Sequence, residues 1–212
     1  MSEYHKIQSL YLRDPATKHK TFLEGQYTIP EFEYLANLDW VFTEKVDGTN
    51  VRIYWDATKD LVVFGGRTDN AQMPVTLMAA LHELFTVERL KEALPEGESW
   101  TLYGEGYGAK IQAGGGDYIP NGNSFILFDV NCDGVWLSRE SVDDIAKKLG
   151  IRSVPIVDVG PISKAEKLCR EGFPSVLKKT PPEGLVMRPF TELLTRRGHR
   201  IITKLKLRDF HA

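Results

Sequence analysis

Lys45 stands two residues ahead of an Asp47-Gly48 pair inside an apolar run, with Val41 and Phe42 before it and Val51 and Ile53 after. An ammonium in such a setting is costly to desolvate. Either Lys45 is a solvated residue beside a hairpin turn, or it is a nucleophile. Only a neutral amine attacks phosphorus, and a free lysine titrates near about 10.4. A nucleophilic lysine therefore needs desolvation or cationic neighbours. Lys204 and Lys206 lie in a strictly alternating stretch, residues 202–207. On a strand they share one face, and Leu205 and Leu207 share the other. Two ammonium groups on one face repel unless an anion lies between them, and a phosphate meets that need. A solvated edge strand guarded by lysines is the plain alternative.

Four more residues carry chemistry. Glu183 follows the stiff basic linker 178–182 and immediately precedes a strand. Asp129 ends a nearly continuous apolar run, 124–130, where a carboxylate must be paired, hydrogen-bonded or on a metal. Glu105 lies among Gly104, Gly106 and Gly108, a density that lets backbone approach a ligand closely or simply makes a flexible loop. No Gly-Lys-Ser/Thr follows, so this is no Walker-type phosphate loop. Arg67 comes straight after Gly65-Gly66, either over a ligand or in a solvated loop.

The elements that must position these residues are mostly strands. Asp47-Gly48 predicts a tight hairpin, with Lys45 ending one strand and Asn50 opening the next. Alternating or apolar runs predict strands at 51–55, 61–64, 100–103, 124–130, 134–137 and 154–158. Helical spacing predicts a short helix over 31–38, one helix over 75–94 stopped by Pro95-Glu96-Gly97, a helix over 142–149 capped by Ser141, and another over 163–170. Residues 1–40 read as a lead-in, with Pro15 ending its first short element.

The chain has 212 residues, 42% hydrophobic and 26% charged, with a net charge of −2. This is ordinary globular composition. It speaks against a protein that coats nucleic acid through bulk charge, so a polynucleotide partner must meet a local patch. Residues 196–208 supply one: Arg196, Arg197, Arg200, Lys204, Lys206 and Arg208, with an acid nowhere among them before Asp209. Cys132 and Cys169 are the only cysteines, and neither they nor the five scattered histidines show metal-site spacing. An intracellular, cytoplasmic home is expected, and no apolar run approaches membrane length.

Taken in order, Glu44-Lys45-Val46-Asp47-Gly48, Arg67, Tyr103-Gly104-Glu105, Phe128-Asp129, Glu183-Gly184-Leu185-Val186 and Lys204-Leu205-Lys206 resemble the motifs of the covalent nucleotidyltransferases, the polynucleotide ligases and mRNA capping enzymes. The chain looks most like the RNA ligase 2-like branch, where Asn50 and the Gly-Glu-Gly-Tyr-Gly-x-Lys-Ile-Gln run point. Asp47 stands where that branch often has His, which leaves RNA against DNA preference open.

The resemblance implies an α+β fold of two antiparallel sheets with flanking helices and a nucleotide in the groove between them. It implies a single domain over 1–212, lacking an OB-fold or other C-terminal domain, and hence a partner chain that could supply one. It also implies an ATP-dependent RNA ligase working through a lysyl-AMP intermediate, with Mg²⁺ or Mn²⁺. The partners would be RNA ends or a nicked duplex; a small DNA ligase and a non-catalytic end-binding module are the alternatives. In that reading Lys45 is the nucleophile, and Lys204 and Lys206 hold the phosphate and favour the neutral amine. Glu183 holds the metal with help from Asp129. Glu105 and Arg67 bind the ribose, Phe128 stacks on adenine, and Glu44, Asp47 and Asn50 lie beside the nucleotide. The 196–200 run is expected on the polynucleotide backbone.

Overall fold

The computed structural model describes residues 3–94 and 99–211. The expected stop at Pro95-Glu96-Gly97 lies outside them. The chain forms two compact units. Unit 1 comprises residues 1–5 and 47–154; unit 2 comprises 6–46 and 155–212.

The chain enters unit 2 through β1 (Gln8–Ser9), β2 (Tyr11–Arg13), β3 (Phe22–Tyr27), α1 (Pro30–Tyr34) and β4 (Trp40–Lys45). As expected, β2 stops just ahead of Pro15, which also opens a 3₁₀ turn capped by the Asp14 side chain, as suits a residue with a preset φ. The expected helix at 31–38 begins a residue earlier and stops at Tyr34.

Unit 1 follows with β5 (Thr49–Asp56), β6 (Leu61–Gly65), α2 (Val75–Leu84), α3 (Val87–Ala93), β7 (Ser99–Gly108), α4 (Gly115–Tyr118), β8 (Asn123–Cys132), β9 (Val135–Trp136), α5 (Arg139–Lys148) and β10 (Arg152–Ser153). Its sheet runs β10-β8-β7-β5-β6 with β9 on β8, antiparallel except for β10 against β8. One face carries the core: Val51, Ile53, Trp55, Leu102, Phe125 and Leu127 against Leu77 and Leu81 of α2 and Leu90 of α3. The helix expected over 75–94 is broken in two. Phe85 leaves helical geometry, and the Thr86 hydroxyl caps α3 by accepting from the Arg89 N–H. The cap of α5 is Ser138, three residues before the expected Ser141.

Unit 2 resumes with β11 (Ile156–Gly160), α6 (Ile162–Glu171), β12 (Gly184–Pro189) and β13 (Thr203–Lys206). Its main sheet is β1-β13-β12-β4-β11, antiparallel except for β1 against β13; β2 and β3 pair separately. The 1–40 stretch is thus no mere lead-in, because β1 is a strand of this sheet. Leu10, Phe32, Trp40, Phe42, Ile162, Leu185 and Met187 form a separate core.

Two strand expectations change for one reason. β4 pairs with β12 and β11, whereas β5 pairs with β6 and β7. Asp47-Gly48 is therefore a link between two sheets, not a hairpin. Likewise the strand expected at 154–158 is divided: Val154 donates to Leu127 O (2.9 Å) in unit 1, and Pro155 O accepts from Glu44 N (3.0 Å) in unit 2.

The glycine-dense 104–108 stretch is strand, not loop. A Cβ on Gly104 would lie 2.1 Å from the Phe125 ring and 2.3 Å from Ile126 O, and one on Gly106 would lie 2.6 Å from Leu77. The glycines let core side chains press flat against β7.

Candidate active site

Lys45, Gly184 and Lys206 form one row across three adjacent strands. Gly184 is opposite Lys45 on β4 and opposite Lys206 on β13. A Cβ on Gly184 would sit 2.0 Å from Leu205 O, so only glycine lets β12 approach β13 this closely. Glu183, the residue before it, reaches into the row. Its Oε2 is 2.5 Å from Lys45 Nζ and its Oε1 is 2.5 Å from Lys206 Nζ. One half-buried carboxylate holds both amines. Burial works to raise the Glu183 pKa, but the charges of Lys45 and Lys206 and their hydrogen bonds outweigh it and hold the carboxyl below its ordinary range.

This corrects one expectation: the described neighbours of Lys45 are not cations alone, since Glu183 lies between it and Lys206. The other half holds. Lys204 and Lys206 are both half-buried on one side of β13, while Thr203 and Leu205 are buried on the other. Leu207 falls in a 3₁₀ turn past the strand. β13 is an inner strand, between β1 and β12, so it needs no edge guard.

Glu44, expected beside the nucleotide, is 1% exposed. Its carboxylate accepts from the Ser175 hydroxyl (2.5 Å) and the Val176 N–H (3.1 Å), which fixes the loop ahead of the 178–182 linker. That is a structural use of the carboxylate. The 196–200 run is divided too: Arg196 and Arg197 are exposed, but Arg200 is buried and paired with Glu192.

Unit 1 holds the remaining residues. The Asp47 N–H donates to the Tyr118 hydroxyl (3.1 Å), and Gln112 donates to Gly48 O (3.0 Å). A Cβ on Gly48 would meet Gly106 O at 2.3 Å and Glu105 Cγ at 2.7 Å. The Asp47-Gly48 link is therefore pinned against β7. Asn50 and Glu105 are register partners across β5 and β7. The Asn50 Oδ1 is buried with no hydrogen-bond partner, an acceptor left for a hydroxyl or amine. Phe128 sits at a register shift in β8, edge-on to Tyr4 at 4.9 Å. Asp129, expected to assist at a metal, is fully buried and accepts from the Tyr4 hydroxyl, which answers its need for a partner; we assign it no metal. Arg67 is exposed in the loop after β6.

Sequence reasoning missed Arg52, Tyr118, Gln112 and Tyr4. Arg52 is wholly buried and donates to Gly66 O (2.6 Å) and Asp69 (2.8 Å), anchoring the loop that carries Arg67. Its place opposite Val51 and Ile53 in an alternating strand suggested solvent. Gln112 closes the Gly-Glu-Gly-Tyr-Gly-x-Lys-Ile-Gln run, but nothing in that run tied it to the Gly48 carbonyl, and Tyr4 and Tyr118 stand in no motif.

Among the described residues no group of three or more His, Cys, Asp or Glu could hold a metal by itself. Glu183 does fit a hard cation, whose remaining ligands would be phosphate oxygens and water. No helix of the described residues is long and apolar enough to cross a membrane.

Comparison with known proteins gives the family and the fold. The RNA ligase family model matches residues 38–206, most of the chain and the whole motif series, and the chain belongs to that family. No curated protein matched in a sequence comparison. Among solved structures, Naegleria gruberi RNA ligase with pyrophosphate superposes with a TM-score of 0.68 at 21% identity, over 97% of this chain and 56% of that one. An apo mutant form of the same enzyme gives 0.69 at 19%, over 100% and 57%. A mutant form with ATP and manganese gives 0.66 at 22%, over 99% and 63%. The likeness is one of fold, and the chain spans little more than half the length of the first of these.

Proposed function

We propose that the chain is the adenylyl-transferring part of an ATP-dependent RNA ligase, a covalent nucleotidyltransferase. The observation that carries this reading is the Lys45–Glu183–Lys206 row, a lysine at a strand end sharing a carboxylate with a second lysine. Lys45 leaves Glu183, gives its proton to solvent and attacks the α-phosphate of ATP. A P–N bond forms, the bond to the bridging oxygen breaks, and pyrophosphate departs. Lys204 and Lys206 stabilise the charge that gathers on the phosphate oxygens. Glu183 would hold Mg²⁺ or Mn²⁺, which when bound supplies positive charge beside the phosphates. Asn50 and Glu105, paired on β5 and β7, serve the ribose with Arg67, and Phe128 serves the base. AMP then passes to a 5′-phosphate, and a 3′-hydroxyl displaces it to seal the strand.

The test is incubation with Mg²⁺ and labelled ATP or GTP, followed by mass measurement. Label from ATP is expected on Lys45 and lost in Lys45→Ala. Absence of any adduct would reject the reading. Sealing of nicked DNA in preference to RNA would move it to a small DNA ligase.

A further inference from the structure

Two cavities of unit 2 share Arg208 and flank the Glu183–Lys206 ion pair. The first, about 590 Å³, is basic, lined by Lys204, Lys206 and Arg208 together with Arg13, His19 and Lys20. Among the described residues Asp209 is its sole carboxylate and is already engaged, accepting from both Arg13 guanidinium nitrogens (2.7 and 2.6 Å). The second, about 650 Å³, is apolar, walled by Phe173, Pro174, Pro181 and Pro182 with His211 at its side. Arg208 lines both. Glu183 lines the second and Lys206 the first, and these two residues are 2.5 Å apart.

We propose that these neighbouring cavities bind the 5′-terminal nucleotide of an RNA strand, its phosphate in the basic cavity and its base against the phenyl and proline residues. The proposal deepens the ligase reading and rests on it. Phosphate or pyrophosphate would use the basic cavity and leave the apolar one idle; a nucleotide uses both, since every base offers a flat face to such residues. Each volume lies within the range of small-ligand sites. A strand, rather than a free nucleotide, suits the rim. Lys18, His19 and Lys20 are exposed there in succession, so further phosphates can be met. That loop is held ready. Lys18 and His19 adopt left-handed φ values of 54° and 61°, and Asp14 fixes the turn by accepting from Ala16 N (2.8 Å) and His19 N (2.9 Å). None of these N-terminal residues belongs to the motif series.

The test is fluorescence anisotropy with a short 5′-phosphorylated RNA, the same RNA with a 5′-hydroxyl, the same with an abasic 5′-nucleotide, and with pyrophosphate and ATP as competitors. Lys20→Glu and Arg208→Glu alter exposed side chains, and melting curves check that both fold. Together they are expected to weaken the phosphorylated RNA more than about tenfold and to flatten the slope of log affinity against log salt by about 1 or more. Removing the 5′-base should cost about tenfold in the wild-type protein. RNA affinity within twofold of wild type in the double variant would overturn the proposal, as would indifference to the 5′-phosphate or to the base. An equal fall in pyrophosphate affinity would also overturn it, by giving the cavity to the tail of ATP. Label on Lys45 is read separately: a chain that takes no label but binds RNA in this way loses the ligase reading and keeps the cavity.

Discussion

Glu183 is the residue on which the row depends, because it answers two ammonium groups at once. Replacing it by Gln leaves Lys45 and Lys206 adjacent with nothing of opposite charge between them. Glu183→Gln is expected to cost about 2 kcal/mol near neutral pH, the scale of a charge-assisted hydrogen bond, and a thermal melt measures it. The pH dependence has a definite sign. The folded-state pKa of Glu183 is depressed, so its contribution is present above the unfolded value of about 4.3 and is lost as pH falls through the folded value. Wild-type melting temperature should therefore drop below about pH 4.3, and the Gln variant should lack that part of the drop. Parallel acid profiles for the two proteins would show that the carboxylate does not hold the row together.

The elements that carry the row were partly legible beforehand. The alternation of 202–207 placed Lys204 and Lys206 on one face, and the Asp47-Gly48 pair placed Lys45 at a strand end. What could not be read was which strands are neighbours. A turn motif reports its own backbone, not the sheet its flanks join, so a link between sheets looks like a hairpin. Glu183 was legible as an acid before a strand, but its reach to Lys45 follows from β12 pairing with β4, a contact made across more than a hundred residues. Asp129 was correctly expected to need a partner; that the partner would be Tyr4, from the N-terminal stretch, left no trace in spacing. Of the two alternatives for the glycines of β7, the flexible loop fails, because Gly104 and Gly106 make room for specific neighbours. Gly104→Ala should cost about 1–3 kcal/mol through overpacking against Phe125. Gly116→Ala, with nothing within 4 Å of its added carbon, should change stability by under about 0.5 kcal/mol. Chemical denaturation of both variants checks the contrast.

Across the whole molecule, each unit has its own core, and the tryptophans divide unevenly between them. Trp40 is the sole tryptophan of unit 2, while Trp55, Trp100 and Trp136 belong to unit 1. Fluorescence of the Trp40→Phe variant therefore reports unit 1 alone, and its difference from wild type reports unit 2. Glu183→Gln is expected to lower the denaturation midpoint of the Trp40 signal more than that of the other three. Coincident shifts would mean that the units unfold as one. Charge shows a similar contrast between whole and part. A chain with a net charge of −2 still gathers five lysines and arginines around one cavity, so bulk charge says little about its affinity for a polyanion.

The shared carboxylate has a consequence for handling the protein. An amine that grips an acid at 2.5 Å presents no lone pair to a passing electrophile. Cyanate, acyl esters and aldehydes should therefore leave Lys45 largely untouched in the resting protein, though they decorate its exposed lysines. Once Glu183 turns to another cation, the same reagents should find Lys45 first, and a probe of lysine reactivity would then report how often the resting row opens.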